Sequence, residues 1–234
     1  MCGINGIFAY KVSAPEVDLA ELIAVRDSMA ARGPDGAGEW FSSDRRVALG
    51  HRRLAIVDLS ETGAQPMASA DGTFHITFNG EIYNYQAIRD RLLSKGVVFK
   101  SHSDTEVLLH LYAEKGPAML DELRGMYAFA IWDASRRQLF LARDPFGIKP
   151  LYYATDGKTF RFASQVRALL KARSIGTEAD AAGRVGFMLW GCVPEPYTLY
   201  SGIRALPAGS WMTVSSEGIR SETWCRISDE IAAA

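Results

Sequence analysis

The second residue of the chain, in MCGINGIFAY, is a cysteine. Loss of Met1 would give Cys2 a free α-amine beside its thiol, so one residue would hold a nucleophile and a base. An unperturbed α-amine titrates near ~7.7–8.0 and a thiol near ~8.5, which makes proton exchange between them close to thermoneutral. Such a pair needs no histidine for activation. The competing reading is a chance cysteine ahead of a short strand. Five further stretches carry residues able to bind or polarise a ligand: RGPDGAG at 32–38, GHRRLAIVDL at 50–59, FNGEIYNY at 78–85, SDTE at 103–106 and RDPFGIKPLYY at 143–153.

Each stretch also has a plain structural explanation. RGPDGAG alone is a turn after a helix. In HRRLAIVDL a strand would turn Arg52 and Arg53 to opposite faces, so only one of them can enter a site. Asn79-Gly80 is a hairpin dipeptide, but here it ends an apolar strand and leads toward a helix. Ser103 and Glu106 form a capping-box pattern ahead of an apolar run. That leaves Asp104 at the first turn, where an acid also suits the helix dipole. RDPFGIKPLYY reads as a strand connection that need not touch a ligand. His51, His75, His102 and His110 have no metal-ligand spacing, and no P-loop or G-x-S-x-G motif occurs.

The elements that must position these residues follow from periodicity. Ile4–Tyr10, Val47–Val57 and Thr73–Asn79 read as strands, the last with Phe74, Ile76 and Phe78 on one face. A helix is expected after a capping box at Ser13–Glu16, ending near Arg32-Gly33-Pro34. Further helices are expected over Asn84–Lys95, about Ser103–Lys115, Gln165–Ala172 and Ala181–Leu189. MYAFAIWD, QLFLAR, PLYYA and TFRFAS read as a meander of antiparallel strands. The Pro- and Gly-rich stretch VPEPYTLYSGIRALPAGS reads as a wrapping loop with short strands. Strands, then helices, then strands predict α+β layers rather than a parallel βαβ repeat.

Composition narrows the partners. Net charge is −1 with charges interspersed, so no basic stripe points to nucleic acid or an anionic membrane. No apolar run nears the roughly 18 residues of a membrane span, and no signal-peptide pattern is present. The cysteines are Cys2, Cys192 and Cys225; an odd, scattered set fits neither a disulfide framework nor a zinc site, and suggests a reducing cytoplasm.

In this order the six stretches resemble the glutaminase domain of class II glutamine amidotransferases, with asparagine synthetases the nearest wording at NGEIYN and RDPFGIKPLYY. The resemblance spans about residues 2–225, with 226–234 as a stub or the start of a linker to an absent synthetase domain. It implies an α+β fold of the N-terminal-nucleophile hydrolase type, a four-layer αββα sandwich of two antiparallel sheets between helices. It implies hydrolysis of L-glutamine to glutamate and ammonia, with Cys2 as nucleophile and an oxyanion hole made of the Asn79 side-chain amide and the Gly80 N–H. Arg53 corresponds to the residue that holds the substrate α-carboxylate. Leu54, Ala55, Ile56 and Val57 line that side, the last two through their backbone, and Glu81 and Asp104 lie near the substrate amino group. A planar guanidinium suits a carboxylate and an acid suits an ammonium.

No cofactor or metal is implied for the glutaminase step. ATP and Mg would serve only the absent synthetase domain, joined in cis or in trans, where ammonia would amidate aspartate. No SGG-x-DS pyrophosphate loop is present. The oligomeric state stays open, a homodimer included. Ala31 and Gln165 depart from the His and Glu common in relatives. Two other readings remain: a catalytically silent regulatory or interaction module, and an N-terminal-nucleophile amidohydrolase acting on another amide.

Overall fold

The computed structural model describes residues 1–234 except Val57, Leu59, Arg173 and Ala234. Its strands fall into two sheets, and every pairing between them is antiparallel. The first holds β1 (Gly3–Phe8), β2 (Gly36–Phe41), β3 (Val47–Arg53), β8 (Tyr152–Thr155), β9 (Phe160–Ala163) and β10 (Arg204–Ala205). The second holds β4 (Met67–Ala68), β5 (Phe74–Ile82), β6 (Gly125–Asp133), β7 (Gln138–Arg143), β11 (Ser210–Ser215) and β12 (Gly218–Thr223). Their orders are β10-β8-β9-β1-β3-β2 and β12-β11-β7-β6-β5-β4.

Alternation along the strands fixes the layers. In β6, Ala128, Ala130 and Trp132 join a core with Ile4, Phe8, Leu49 and Phe162 of the first sheet. The intervening Tyr127, Phe129 and Ile131 pack instead against Ile88 and Leu92 of α2 (Tyr85–Ser94) and Val107, Leu108 and Leu111 of α3 (Asp104–Lys115). Successive strand residues face opposite ways, and here both faces are covered. On the far side of the first sheet, Leu22 of α1 (Leu19–Asp27) meets Ile7 and Ala48. Val25 and Met29 meet Ala163 and α4 (Val166–Leu169) there. Helix, sheet, sheet and helix thus form the four layers expected from the resemblance.

Two polar bonds tie the sheets together at β3 and β5. His51 Nε2 lies 3.2 Å from the Phe78 carbonyl, and Thr77 Oγ1 donates to the Gly50 carbonyl at 3.1 Å. His51 is fully buried, and burial pushes its imidazole down to about 4, so it is neutral at pH 7 and donates through Nε2.

Several expectations are corrected. The capping box at Ser13 does not form. Asp18 caps α1 by accepting from Ala20 N, because Ala14 and Val17 are buried beside Ile7 and keep the preceding segment off the helix. Ser103 does cap α3, bonding Thr105 N at 3.1 Å, but Glu106 reaches past it to Lys100 N, Ser101 N and Ser101 Oγ. The β3 strand stops at Arg53, not 57. The expected meander is split: β6 and β7 lie in the second sheet, β8 and β9 in the first, so RDPFGIKP crosses between sheets. The expected helix at 165–172 is only the four residues of α4. The tail holds a regular hairpin, β11–β12, besides α5 (Ala181–Trp190) and α6 (Ile227–Ala233). Among the described residues, no helix is long and apolar enough to cross a membrane.

Candidate active site

The cleft that collects the predicted residues opens where the first ends of β1 and the last residues of β3 meet the side of β5. Cys2 precedes β1 and is partly buried. Its Sγ accepts from the Leu54 N–H at 3.3 Å and lies 3.6 Å from the Leu54 carbonyl. Burial pushes the Cys2 thiol up, while the Leu54 backbone, the chain's amino terminus, Arg53 and Arg32 pull the other way. Arg32, from RGPDGAG, fixes the Cys2 backbone by donating from Nε to its carbonyl at 2.9 Å. The Arg32 Nη2 atom is buried without a protein partner. Met1, about half exposed, lines the same cleft.

Asn79 is buried in β5, yet its Nδ2 has no hydrogen-bond partner in the protein. Most buried polar groups are paired, so an orphaned amide donor facing a cleft marks a place prepared for an acceptor. Gly80 follows it. The Tyr83 N–H bonds the Arg124 carbonyl, so the odd-numbered residues of β5 bond to β6 and the even ones face the open edge. There Phe78 N donates to Gln65 Oε1 at 2.6 Å and Ile82 N to Asp104 Oδ2 at 3.0 Å. The register sets the Gly80 N–H between them, toward the cleft. A Cβ at Gly80 would stand 2.3 Å from the Met126 carbonyl, so only glycine fits this approach.

The two arginines separate as a strand requires. Arg53 lines the cleft, and its guanidinium donates to the Ser60 carbonyl at 2.9 Å and to the Asp58 carbonyl. It therefore shapes the loop after β3. Arg52 turns away, bonding the Gly33 carbonyl at 3.1 Å and approaching Asp27 at 3.6 Å. Asp35 accepts from Ala55 N at 2.9 Å, so RGPDGAG is a scaffold for both Cys2 and this loop, not a free turn. Leu54, Ala55 and Ile56 line the cleft; Val57 lies outside the described residues.

Asp104 and Glu81 line the same cleft. Burial pushes the Asp104 carboxyl up to about 6, with Glu81 adding to the rise and the Ile82, Thr105 and Ser103 donors opposing it. The cleft therefore brings together the Cys2 thiol, the unpartnered Asn79 Nδ2, the edge-facing Gly80 N–H, the Arg53 guanidinium and the carboxylates of Glu81 and Asp104. Among the described residues, no group of three His, Cys, Asp or Glu is placed to hold a metal.

Among the lining residues to which sequence reasoning gives no site role are His51, Gln65, Thr105 and Lys149. Gln65 uses both ends of its amide, accepting from Phe78 N and donating to Thr105 Oγ1 at 3.1 Å, which joins β5 to α3. Lys149 was signalled only by its place in RDPFGIKP, which does reach the cleft after all.

The family model described as a glutamine amidotransferase domain matches residues 1–225. Asparagine synthetase (glutamine-hydrolyzing) 1 of Bacillus subtilis strain 168 is 42% identical over 219 residues, covering 93% of this chain and 34% of that protein. Asparagine synthetase (glutamine-hydrolyzing) 3 of the same organism is 37% identical over 222 residues, covering 94% of this chain and 36% of that protein. The chain thus spans about a third of the length of these relatives. Among solved structures, glutamine phosphoribosylpyrophosphate amidotransferase from B. subtilis shares the fold, with a TM-score of 0.68 at 23% identity, over 95% of this chain and 49% of that one. By the match of its whole length up to residue 225, the chain belongs to the glutamine amidotransferase domain family.

Proposed function

We propose that this chain hydrolyses L-glutamine to glutamate and ammonia through a thioester on Cys2. One observation carries the reading: the Cys2 sulfur shares a cleft with the orphaned Asn79 Nδ2 donor and the edge-facing Gly80 N–H. After loss of Met1, the Cys2 α-amine takes the thiol proton. The thiolate attacks the side-chain amide carbon of glutamine, and the developing oxyanion takes the Asn79 and Gly80 hydrogen bonds. The amine returns the proton to the leaving nitrogen, ammonia departs, and water hydrolyses the γ-glutamyl thioester. Donors aimed at such an oxyanion are typically worth roughly 10²–10³ in rate each.

Substrate selection follows from the walls. Arg53 takes the α-carboxylate with the N–H groups its loop leaves over, and Asp104 with Glu81 takes the ammonium. A free amino acid presents both charges on its Cα; an N-acylated one would set a neutral amide against buried Asp104. The names of the 42% and 37% identical relatives support a second step, in which ammonia amidates aspartate on an ATP- and Mg-dependent synthetase domain in cis or in trans. A reducing cytoplasm keeps Cys2 a thiol.

The test is glutamate and ammonia release from glutamine by the full chain, with Met1 processing measured by mass spectrometry. Turnover by the processed chain is expected; none from a chain whose Cys2 amine is free would sink the reading. Met1 at the cleft favours the silent-module alternative if it is retained.

A further inference from the structure

Lys149 is a lysine in an unusual position. It is 5% exposed, yet among the described residues its ammonium makes no hydrogen bond or ion pair. Its side chain lines the cleft with Cys2, Asn79, Gly80 and Met126. The side chain is buried along its stem and its ammonium opens on the cleft, where a cation is available to an anion held there.

The surrounding chain holds Lys149 there firmly. Fully buried Asp144 accepts from Phe146 N, Ile148 N, Lys149 N and Tyr127 N at 2.9–3.2 Å. Arg143 donates to the Lys149 carbonyl at 2.8 Å and to the Gly147 carbonyl at 2.8 Å. Both backbone groups of Lys149 are thereby used, and only its side chain is left to act. Among the carboxylates, Asp144 acts most on the Lys149 ammonium, but it is committed to four backbone amides. Burial and nearby Arg32 push the Lys149 ammonium below its usual range, while Asp144, Cys2 and Glu81 oppose that shift.

We propose that the Lys149 ammonium is a counter-cation for the Cys2 thiolate, holding the sulfur ionised before glutamine is attacked. The assignment rests on reading Cys2 as the nucleophile. Lys149 stays protonated throughout; the thiol proton goes to the α-amine. The other charged or titratable groups facing the sulfur are Arg32 behind it, Arg53 at the end of β3, the amino terminus, and Asp58, Glu81, Asp104 and neutral His51 around the cleft. Arg32 and Arg53 each bond backbone carbonyls as well. Arg32 keeps an unpartnered Nη2 but is fixed through Nε on the Cys2 carbonyl, whereas the Lys149 ammonium makes no such bond and can turn to the sulfur. In a low-dielectric pocket such a cation acts strongly on a nearby thiolate.

The experiment is the pH dependence of Cys2 alkylation by iodoacetamide, read by mass spectrometry on the N-terminal peptide of the full chain, which keeps Cys192 and Cys225 out of the signal. Lys149→Met and, as a second neutral variant, Lys149→Gln should each move the alkylation midpoint up by about one pH unit, which slows the reaction near neutrality by up to tenfold. Lys149→Arg should restore a midpoint close to wild type. A folded neutral variant with an unmoved midpoint overturns the proposal. So does an unmoved midpoint with a raised KM, which would assign Lys149 to the substrate instead. Alkylation needs no glutamine turnover, so a wild-type chain that alkylates as described but hydrolyses nothing would sink the glutaminase reading alone.

Discussion

The Asp104 carboxylate accepts a 3.0 Å hydrogen bond from the Ile82 amide, two residues beyond Gly80 on the same edge of β5. The acid proposed to hold the substrate ammonium is therefore bonded to the strand proposed to hold its oxyanion. Burial raises Asp104 to about 6, so the carboxylate is charged at pH 7.5 and protonates as pH falls through 6. In the free enzyme, kcat/KM for glutamine should fall below pH 6 with that midpoint. Asp104→Asn should raise KM and abolish this limb; a pH profile identical to wild type would remove Asp104 from recognition.

The same shift has a stability consequence of opposite sense. A carboxyl whose folded pKa exceeds its unfolded value favours folding at low pH and disfavours it above the folded pKa. Asp104→Asn should therefore stabilise the chain at pH 7.5, by about 3 kcal/mol from a shift of this size, with the gain vanishing below pH 4. Denaturant melts at the two pH values check it.

His51 works the other way. Its folded pKa of about 4 lies below the usual 6.5, so its contribution is full above pH 6.5 and is lost as pH falls from 6.5 to 4. That loss amounts to about 3 kcal/mol. Urea melts across this window should show wild type changing little, because the Asp104 gain offsets the His51 loss, while His51→Gln strengthens as pH falls. The Asp104→Asn variant, lacking the compensating acid, should fall more steeply than wild type.

Asn79→Ala removes a donor that has no partner in the resting protein. It should cut kcat by roughly 10²–10³ with little change in melting temperature. Loss of fold with loss of rate would make Asn79 a packing residue instead.

The two arginines should separate cleanly in steady-state kinetics. Arg53→Ala should raise KM for glutamine by roughly 10–100-fold, as expected for a charge-assisted bond to the carboxylate. Arg52→Ala should leave KM near wild type and lower stability through the lost Gly33 and Asp27 contacts. The reverse pattern would mean that the other face of β3 meets the substrate.

Much of this site is legible in residue order because chemistry restricts residue type. A cysteine at position 2, Asn-Gly at a strand edge, and Arg53 with Asp104 all reach one cleft. The αββα layering is only partly legible. Alternation in β6 shows that both faces are covered, but nothing in RDPFGIKP says that β8 joins the other sheet, since turn residues encode a bend and not its destination. The β11–β12 hairpin is hidden because the second half of β12 is exposed and lacks an apolar alternation. Glu106 misleads because its carboxylate bonds Lys100 and Ser101 as well as a capping box would bond Ser103. Lys149 is invisible because a lysine in a loop is usually solvated, and only the Asp144 cage turns it inward.

The proposed nucleophile and the proposed oxyanion donors sit at different sheets, stitched by the His51–Phe78 and Thr77–Gly50 bonds. Turnover is thus a vernier on how the two slabs are aligned. A repacked interior that slides one against the other by a fraction of a bond length would pass every thermal screen and still be inert, so libraries aimed at the residues between the sheets must be selected on ammonia, not on heat.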